Sequence, residues 1–127
     1  MEDWDGDGGG SEMKAKLATD NTLMFWCPGC EEHHGITVNS PHGWTWNQSL
    51  EEPTVSPSIL VNGTRALVDG KPVHWFKYEG EYPAERCDFI CHSFVKDGQI
   101  QFLGDCSHDL KGQTVPLPDI DKVAEFP

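Results

Sequence analysis

Two sets of side chains in this chain have types and spacings that could do chemistry. The first is Cys27-Pro28-Gly29-Cys30, two thiols separated by a Pro-Gly turn that aims both sulfurs at one point. Zn²⁺ takes four tetrahedral N or S ligands, and structural sites join such a knuckle to a second pair from elsewhere in the chain. Cys91 and Cys106 are the expected second pair, His108 and His34 are reserve ligands, and Cys87 is left over. A closed four-cysteine site is structural and leaves catalysis to other residues. A redox dithiol fits poorly, because no helical pattern follows Cys30 to stabilise a thiolate at a helix N-terminus. The plain alternative is five reduced cysteines packed as small apolar side chains.

The second set is Ser58, His92 and Asp105. A carboxylate beside a histidine holds one ring tautomer, and the other ring nitrogen can then serve as general base for a hydroxyl. Ser58 follows Pro57 and opens an apolar run, a rigid place from which to present a hydroxyl. The expected roles are nucleophile for Ser58, base for His92 and orienting acid for Asp105. Nothing in the sequence alone brings Ser58 to His92. A serine after proline also caps or turns a chain, and a strand histidine is often merely a packed residue. A third arrangement is an open metal site built from His92 and His108 with Asp105. His33, His34, His42 and His74 show no chelating spacing with one another. Trp44-Thr45-Trp46 could line a pocket or pack in the core.

These residues must be positioned by short β-strands. Leu23–Trp26, Ile36–Val38, Trp44–Trp46, Ser58–Val61, Ala66–Val68, Val73–Phe76, Phe89–Val95 and Ile100–Leu103 are β-branched or aromatic runs separated by Gly, Pro and Asn/Asp. No run sustains a helical period; Glu12–Ala18 comes nearest and is short. Asp69-Gly70 and Asp97-Gly98 each sit between β-prone runs, the signature of a two-residue type I′ hairpin turn. With Asp97-Gly98 as the turn, Lys96 faces Gln99, Val95 faces Ile100, Phe94 faces Gln101 and Ser93 faces Phe102. Continuing the ladder, His92 faces Leu103, Cys91 faces Gly104, Ile90 faces Asp105 and Phe89 faces Cys106. Strand side chains alternate faces, so Cys91 and Cys106 share one face while His92 and Asp105 share the other. A slip of one residue would exchange the two sets.

The chain has 127 residues, with 9 Lys+Arg against 21 Asp+Glu, a net charge of −12. Such a length fits one domain. The charge argues against binding nucleic-acid backbones or anionic membrane surfaces. Residues 1–21 are acidic and Gly-rich with one aromatic, and are expected to be a flexible, disordered tail before a domain over 22–127. No apolar stretch approaches the ~18 residues of a membrane span, and no signal peptide is visible, so a reducing cytoplasm is the expected compartment. The Pro116–Pro118 segment and residues 119–127 read as extended chain along the domain edge.

A family resemblance adds to this reading. Phe25-Trp26-Cys27-Pro28-Gly29-Cys30, Gly43-Trp44-Thr45-Trp46, Pro53–Ser58, Cys91–Val95, Asp97–His108 and Gly112–Pro118 occur in an order similar to a family of small bacteriophage and prophage proteins, sometimes misnamed ammonia monooxygenase. More remotely the chain resembles the peptidase component of bacterial ubiquitin-like conjugation operons, linked to antiphage defence. That resemblance implies a serine-type peptidase that processes or deconjugates a ubiquitin-like protein. Its Pro-Ser-Ile pattern corresponds to Pro57-Ser58-Ile59, and its Ser-His-aromatic stretch to the region of His92.

The sequence therefore predicts a small, mainly β domain of antiparallel strands and hairpins stabilised by structural Zn²⁺. Its expected activity is that of a serine-type hydrolase acting on a protein tail. The alternatives are a non-catalytic zinc-binding adaptor or inhibitor of a host protein, and an open-site metallohydrolase. The expected partner is a protein substrate or host protein, in the cytoplasm of a bacterial host, without nucleic acid or membrane.

Overall fold

The computed structural model describes residues 12–123. Two antiparallel sheets share one core. The smaller contains β1 (Ala15–Thr19), β2 (Thr22–Cys27) and β3 (Glu32–Thr37) in that order. The larger is built on β4 (Thr45–Trp46), β5 (Val55–Val68), β6 (Lys71–Val73), β7 (Arg86–Lys96), β8 (Gln99–Phe102) and β9 (Thr114–Pro116). Its order is β9-β8-β7-β5-β4, with β6 also paired to β5. A 3₁₀ turn at Trp75–Lys77 and a short helix, α1 (Ile120–Val123), complete the elements. Among the described residues no helix is long and apolar enough to cross a membrane. The mainly β, antiparallel architecture is as expected.

Alternation of side chains builds the core. In β2, Leu23, Phe25 and Cys27 point inward, as do Phe89, Cys91, Ser93 and Val95 in β7. Ile100 and Phe102 from β8 join them. Burial of these apolar faces against each other is the main driving force for docking the two sheets.

Both Asp-Gly turns form as read. Asp69 and Gly70 have φ of 53° and 79°, and Asp97 and Gly98 have 53° and 77°, as a type I′ turn requires. The second hairpin pairs Lys96 with Gln99, Val95 with Ile100, Phe94 with Gln101 and Ser93 with Phe102. A bond from Leu103 N–H to His92 O, 2.9 Å, extends it one step. There the expected ladder ends. The chain turns at Gly104-Asp105, and beyond it side chains share the bonding to β7 with one main-chain bond, Ser107 N–H to Ile90 O at 2.8 Å. The Cys106 thiol accepts from His92 N–H and donates to His92 O, both 3.2 Å. The Ser107 hydroxyl accepts from Ile90 N–H at 2.9 Å. Cys106 therefore lies beside His92 and not opposite Phe89.

Three further expectations change. The tail does not run to residue 21: Ala15 is fully buried, Ala15–Thr19 pairs with β2, and Lys14 Nζ donates to Leu117 O at 2.7 Å. Four of the five strand residues are exposed, so hydrophobic pattern alone does not mark it. Residues 1–11 lie outside the described residues. At the other end, Ile120–Val123 is helical, not extended, and Ile120 is buried; residues 124–127 also lie outside the described residues. Val73–Phe76 is only in part a strand, since the chain passes into the 3₁₀ turn at Trp75.

Candidate active site and metal centre

Two strands of the larger sheet carry the first site. β5 is irregular between Val55 and Ile59, where its pairing to β7 shifts register. A bulge of this kind re-aims a side chain. Ser58 lies within it, and the Trp44 indole N–H donates to Ser58 O at 3.2 Å, holding the bulge from the neighbouring segment. His92, in β7, pairs across to Leu60 and points to the outer face. Its Nε2 lies 3.1 Å from Ser58 Oγ, and its Nδ1 lies 3.2 Å from Asp105 Oδ2.

An ionised carboxylate can only accept, so the proton of a neutral imidazole belongs on Nδ1. Nε2 then presents a lone pair to Ser58, and the serine O–H donates into it. Ser58, His92 and Asp105 are thus brought into one hydrogen-bonded line across two strands and a loop. Asp105 reaches His92 by a different route from the diagonal the ladder implied. The turn at Gly104-Asp105 delivers it, pinned by the Cys106 and Ser107 contacts. The triad lies at the surface: the His92 side chain is 27% exposed and that of Asp105 56%.

The opposite face of β7 carries the second site. Cys27, Cys30, His34 and Cys91 bring one ligand atom each to within 4.8 Å of one another, all four buried. The knuckle is shaped by a Cys30 N–H contact to Cys27 Sγ, 3.4 Å, and a Glu31 N–H bond to Cys27 O, 2.8 Å. His34 follows from the hairpin that the knuckle closes, because Cys27 pairs with Glu32 and Phe25 with His34, placing His34 on the inner face. Cys91 comes from the other sheet, its sulfur 3.8 Å from that of Cys27.

Cys106 does not join these four. It groups with Cys91 and His108 on one side of the cluster. His108 Nε2 approaches Cys91 Sγ at 3.4 Å, and its ring packs on Gly29, where any Cβ would overlap it. Of the expected ligand set, Cys27, Cys30 and Cys91 stand together with the reserve ligand His34, while Cys106 and the reserve ligand His108 group with Cys91. The open site of His92, His108 and Asp105 is not formed, because His92 and His108 lie against opposite faces of β7. Cys87 is outside both groups, with its thiol 3.8 Å from Arg65 O.

The donor set fits a metal ion on its own chemistry. His34 Nε2 is buried without a hydrogen-bond partner, and an orphan acceptor in an apolar core is costly unless something is bound to it. The Cys27 thiol is held far below its ordinary range, because Cys30 and Cys91 donate into it. Cys30 and Cys91 are pushed up by that same neighbouring charge. The three sulfurs thus oppose one another's ionisation, and a divalent cation would let all of them ionise. Burial pushes His108 below the ordinary imidazole range, favouring its neutral form. Arg65 borders the cluster, donating to Cys30 O at 3.2 Å with its guanidinium 3.9 Å over the Phe89 ring.

The model of one protein family, the bacterial ubiquitination-like system serine protease (BubE), matches residues 9–103. The chain belongs to this family. The matched span includes Cys27, Cys30, His34, Ser58, Cys91 and His92, while Asp105, Cys106 and His108 follow it. The match supports the resemblance to the protease of the ubiquitin-like system. A search of the curated proteins and of the solved structures finds no match to the chain. Local sequence singles out Ser58, His92, Asp105, Cys27, Cys30 and Cys91, holds His34 only in reserve, and misses the residues that support them. Trp44 and the Cys106 clamp act through non-local contacts that carry no local signal.

Proposed function

We propose that this BubE-family chain is a serine-type protease that cleaves a peptide or isopeptide bond at the tail of a ubiquitin-like protein. The observation carrying the reading is the continuous line Ser58 Oγ, His92 Nε2, His92 Nδ1, Asp105 Oδ2, with links of 3.1 and 3.2 Å. Ser58 Oγ attacks the scissile carbonyl carbon as His92 Nε2 takes its proton. Collapse of the tetrahedral adduct breaks the C–N bond, and His92 returns the proton to the leaving amine. Water, deprotonated by the same nitrogen, then hydrolyses the acyl-serine and frees the carboxylate. Asp105 holds the ring so that Nε2 faces Ser58, and its charge opposes that of the imidazolium formed in each step.

The metal in this reading is Zn²⁺ held by Cys27, Cys30, His34 and Cys91, and its contribution is structural: it neutralises the thiolates and ties the β2–β3 hairpin to β7. None of the five cysteines is in a disulfide, which suits a reducing cytoplasm. The partner is a protein, and the net charge of −12 disfavours nucleic acid. That charge also motivates the second reading, a non-catalytic adaptor for a basic host protein. A fluorophosphonate probe with peptide mapping separates the two. Labelling of Ser58 in the wild type, lost in His92→Ala, supports the protease; no labelling where a control hydrolase reacts overturns it.

A further inference from the structure

The outer face of the larger sheet is not uniformly polar around Ser58. Phe94, two residues beyond His92 on the same face of β7, is 43% exposed. Leu60, the β5 partner of His92, is 55% exposed on the other side. Residues two apart on a strand are separated by ~7 Å, about the spacing between same-face side chains of an extended peptide. Phe94 is therefore one side-chain step from the reacting atoms.

It also sits in a groove. An open cleft of about 480 Å³ begins at Ser56, two residues before Ser58, and crosses the sheet past Phe94 toward Gln101 and Thr114. That volume falls in the range of ligand-binding clefts. The cleft is lined by Phe94 together with polar and charged side chains, Lys96, Asp97, Gln99, Gln101 and Thr114. Recognition sites with an apolar anchor and a polar rim take a large apolar side chain on the floor and main-chain amides at the rim.

We infer that this groove is the specificity site of the protease, and that it seats a large apolar side chain of the residue bordering the scissile bond. The inference rests on the serine-protease reading, names the substrate side chain that reading leaves open, and assigns Phe94 as the residue that selects it. Leu60 lies across Ser58 from the groove and supports the chain on the other side.

The test uses the full chain and a mixed-sequence peptide library, with cleavage products identified by mass spectrometry. Ser58 labelling by a small alkyl fluorophosphonate in the same samples normalises each rate to competent sites. Wild type is expected to cleave next to Leu, Phe or Met about tenfold faster than next to Ala, the order that a few buried methylenes supply. Phe94→Ala removes that discrimination, and Phe94→Leu restores most of it. Phe94 is exposed, so its truncation leaves the core intact. A wild type that labels at Ser58 but shows no apolar preference beside the cleaved bond overturns the groove alone. So does Phe94→Ala with its discrimination unchanged. A wild type that does not label at Ser58 overturns the protease reading and the groove with it.

Discussion

Replacing Asp105 by Ala removes one charge from the line Ser58–His92–Asp105, and its cost depends on how wet that charge is. At 3.2 Å a full ion pair is worth about 1.3 kcal/mol at a dielectric constant of ~80 and about 5 kcal/mol at ~20. The carboxylate is 56% exposed and the imidazole 27%, which places the pair near the aqueous limit. The transition state, in which His92 carries a proton, should then lose little more than 1.3 kcal/mol, about tenfold in rate. A buried triad of this kind loses roughly 10⁴-fold when its acid is disabled. The assay is the second-order rate of Ser58 labelling by a fluorophosphonate, compared with His92→Ala, which should lose about 10²–10⁴-fold with its base gone. Screening adds a second reading. Between about 0.01 and 1 M salt the Debye length falls from ~30 to ~3 Å, so the advantage of wild type over Asp105→Ala should shrink. A loss near 10⁴-fold, or an advantage indifferent to salt, would refute the argument from exposure. No loss at all would remove Asp105 from the line.

Three further outcomes are expected. Purified chain should carry a single tightly bound Zn²⁺, measured by elemental analysis; Cys91→Ser should lose both the metal and the folded state, while Cys87→Ser and Cys106→Ser keep the metal, and loss of zinc from Cys106→Ser would restore the all-cysteine ligand set. Trp44→Phe deletes the 3.2 Å bond to Ser58 O and should lower unfolding free energy by about 0.5–1.5 kcal/mol while slowing Ser58 labelling several-fold; an unchanged rate would free the bulge from Trp44. Gly98→Ala places a Cβ 3.3 Å from the Glu51 carbonyl oxygen and the Glu52 Cα at φ 77° and should cost about 1–2 kcal/mol, seen as a drop of several degrees in thermal midpoint.

Local chemistry in the sequence reaches as far as the β7–β8 hairpin. Asp97-Gly98 sets its register, and strand alternation puts Cys91 and His92 on opposite faces. The segment beyond Phe102 is not legible, because after the turn at Gly104-Asp105 it returns to β7 through a mixture of side-chain bonds from Cys106 and Ser107 and one main-chain bond, Ser107 N–H to Ile90 O, that no propensity scale describes. His34 is within reach: once the knuckle is read as a hairpin turn, period-two alternation places it with Cys27. Its preference over Cys106 is a matter of how two sheets dock, which is non-local. The approach of Ser58 to His92 is likewise a property of the β5 bulge and the strand beside it. β1 is hidden because only Ala15 of its five residues is buried.

The division of labour across β7 has an evolutionary consequence. The buried core and the cysteine cluster lie on one face of that strand, and the residues of the proposed reaction lie on the other, near water. Substitutions at Ser58, His92 or Asp105 create no cavity and strand no charge in the core, so a descendant can fall silent as a hydrolase without forfeiting its fold. Such a chain would keep the groove and the knuckle, and on the proposed reading could still bind the tail it no longer cuts.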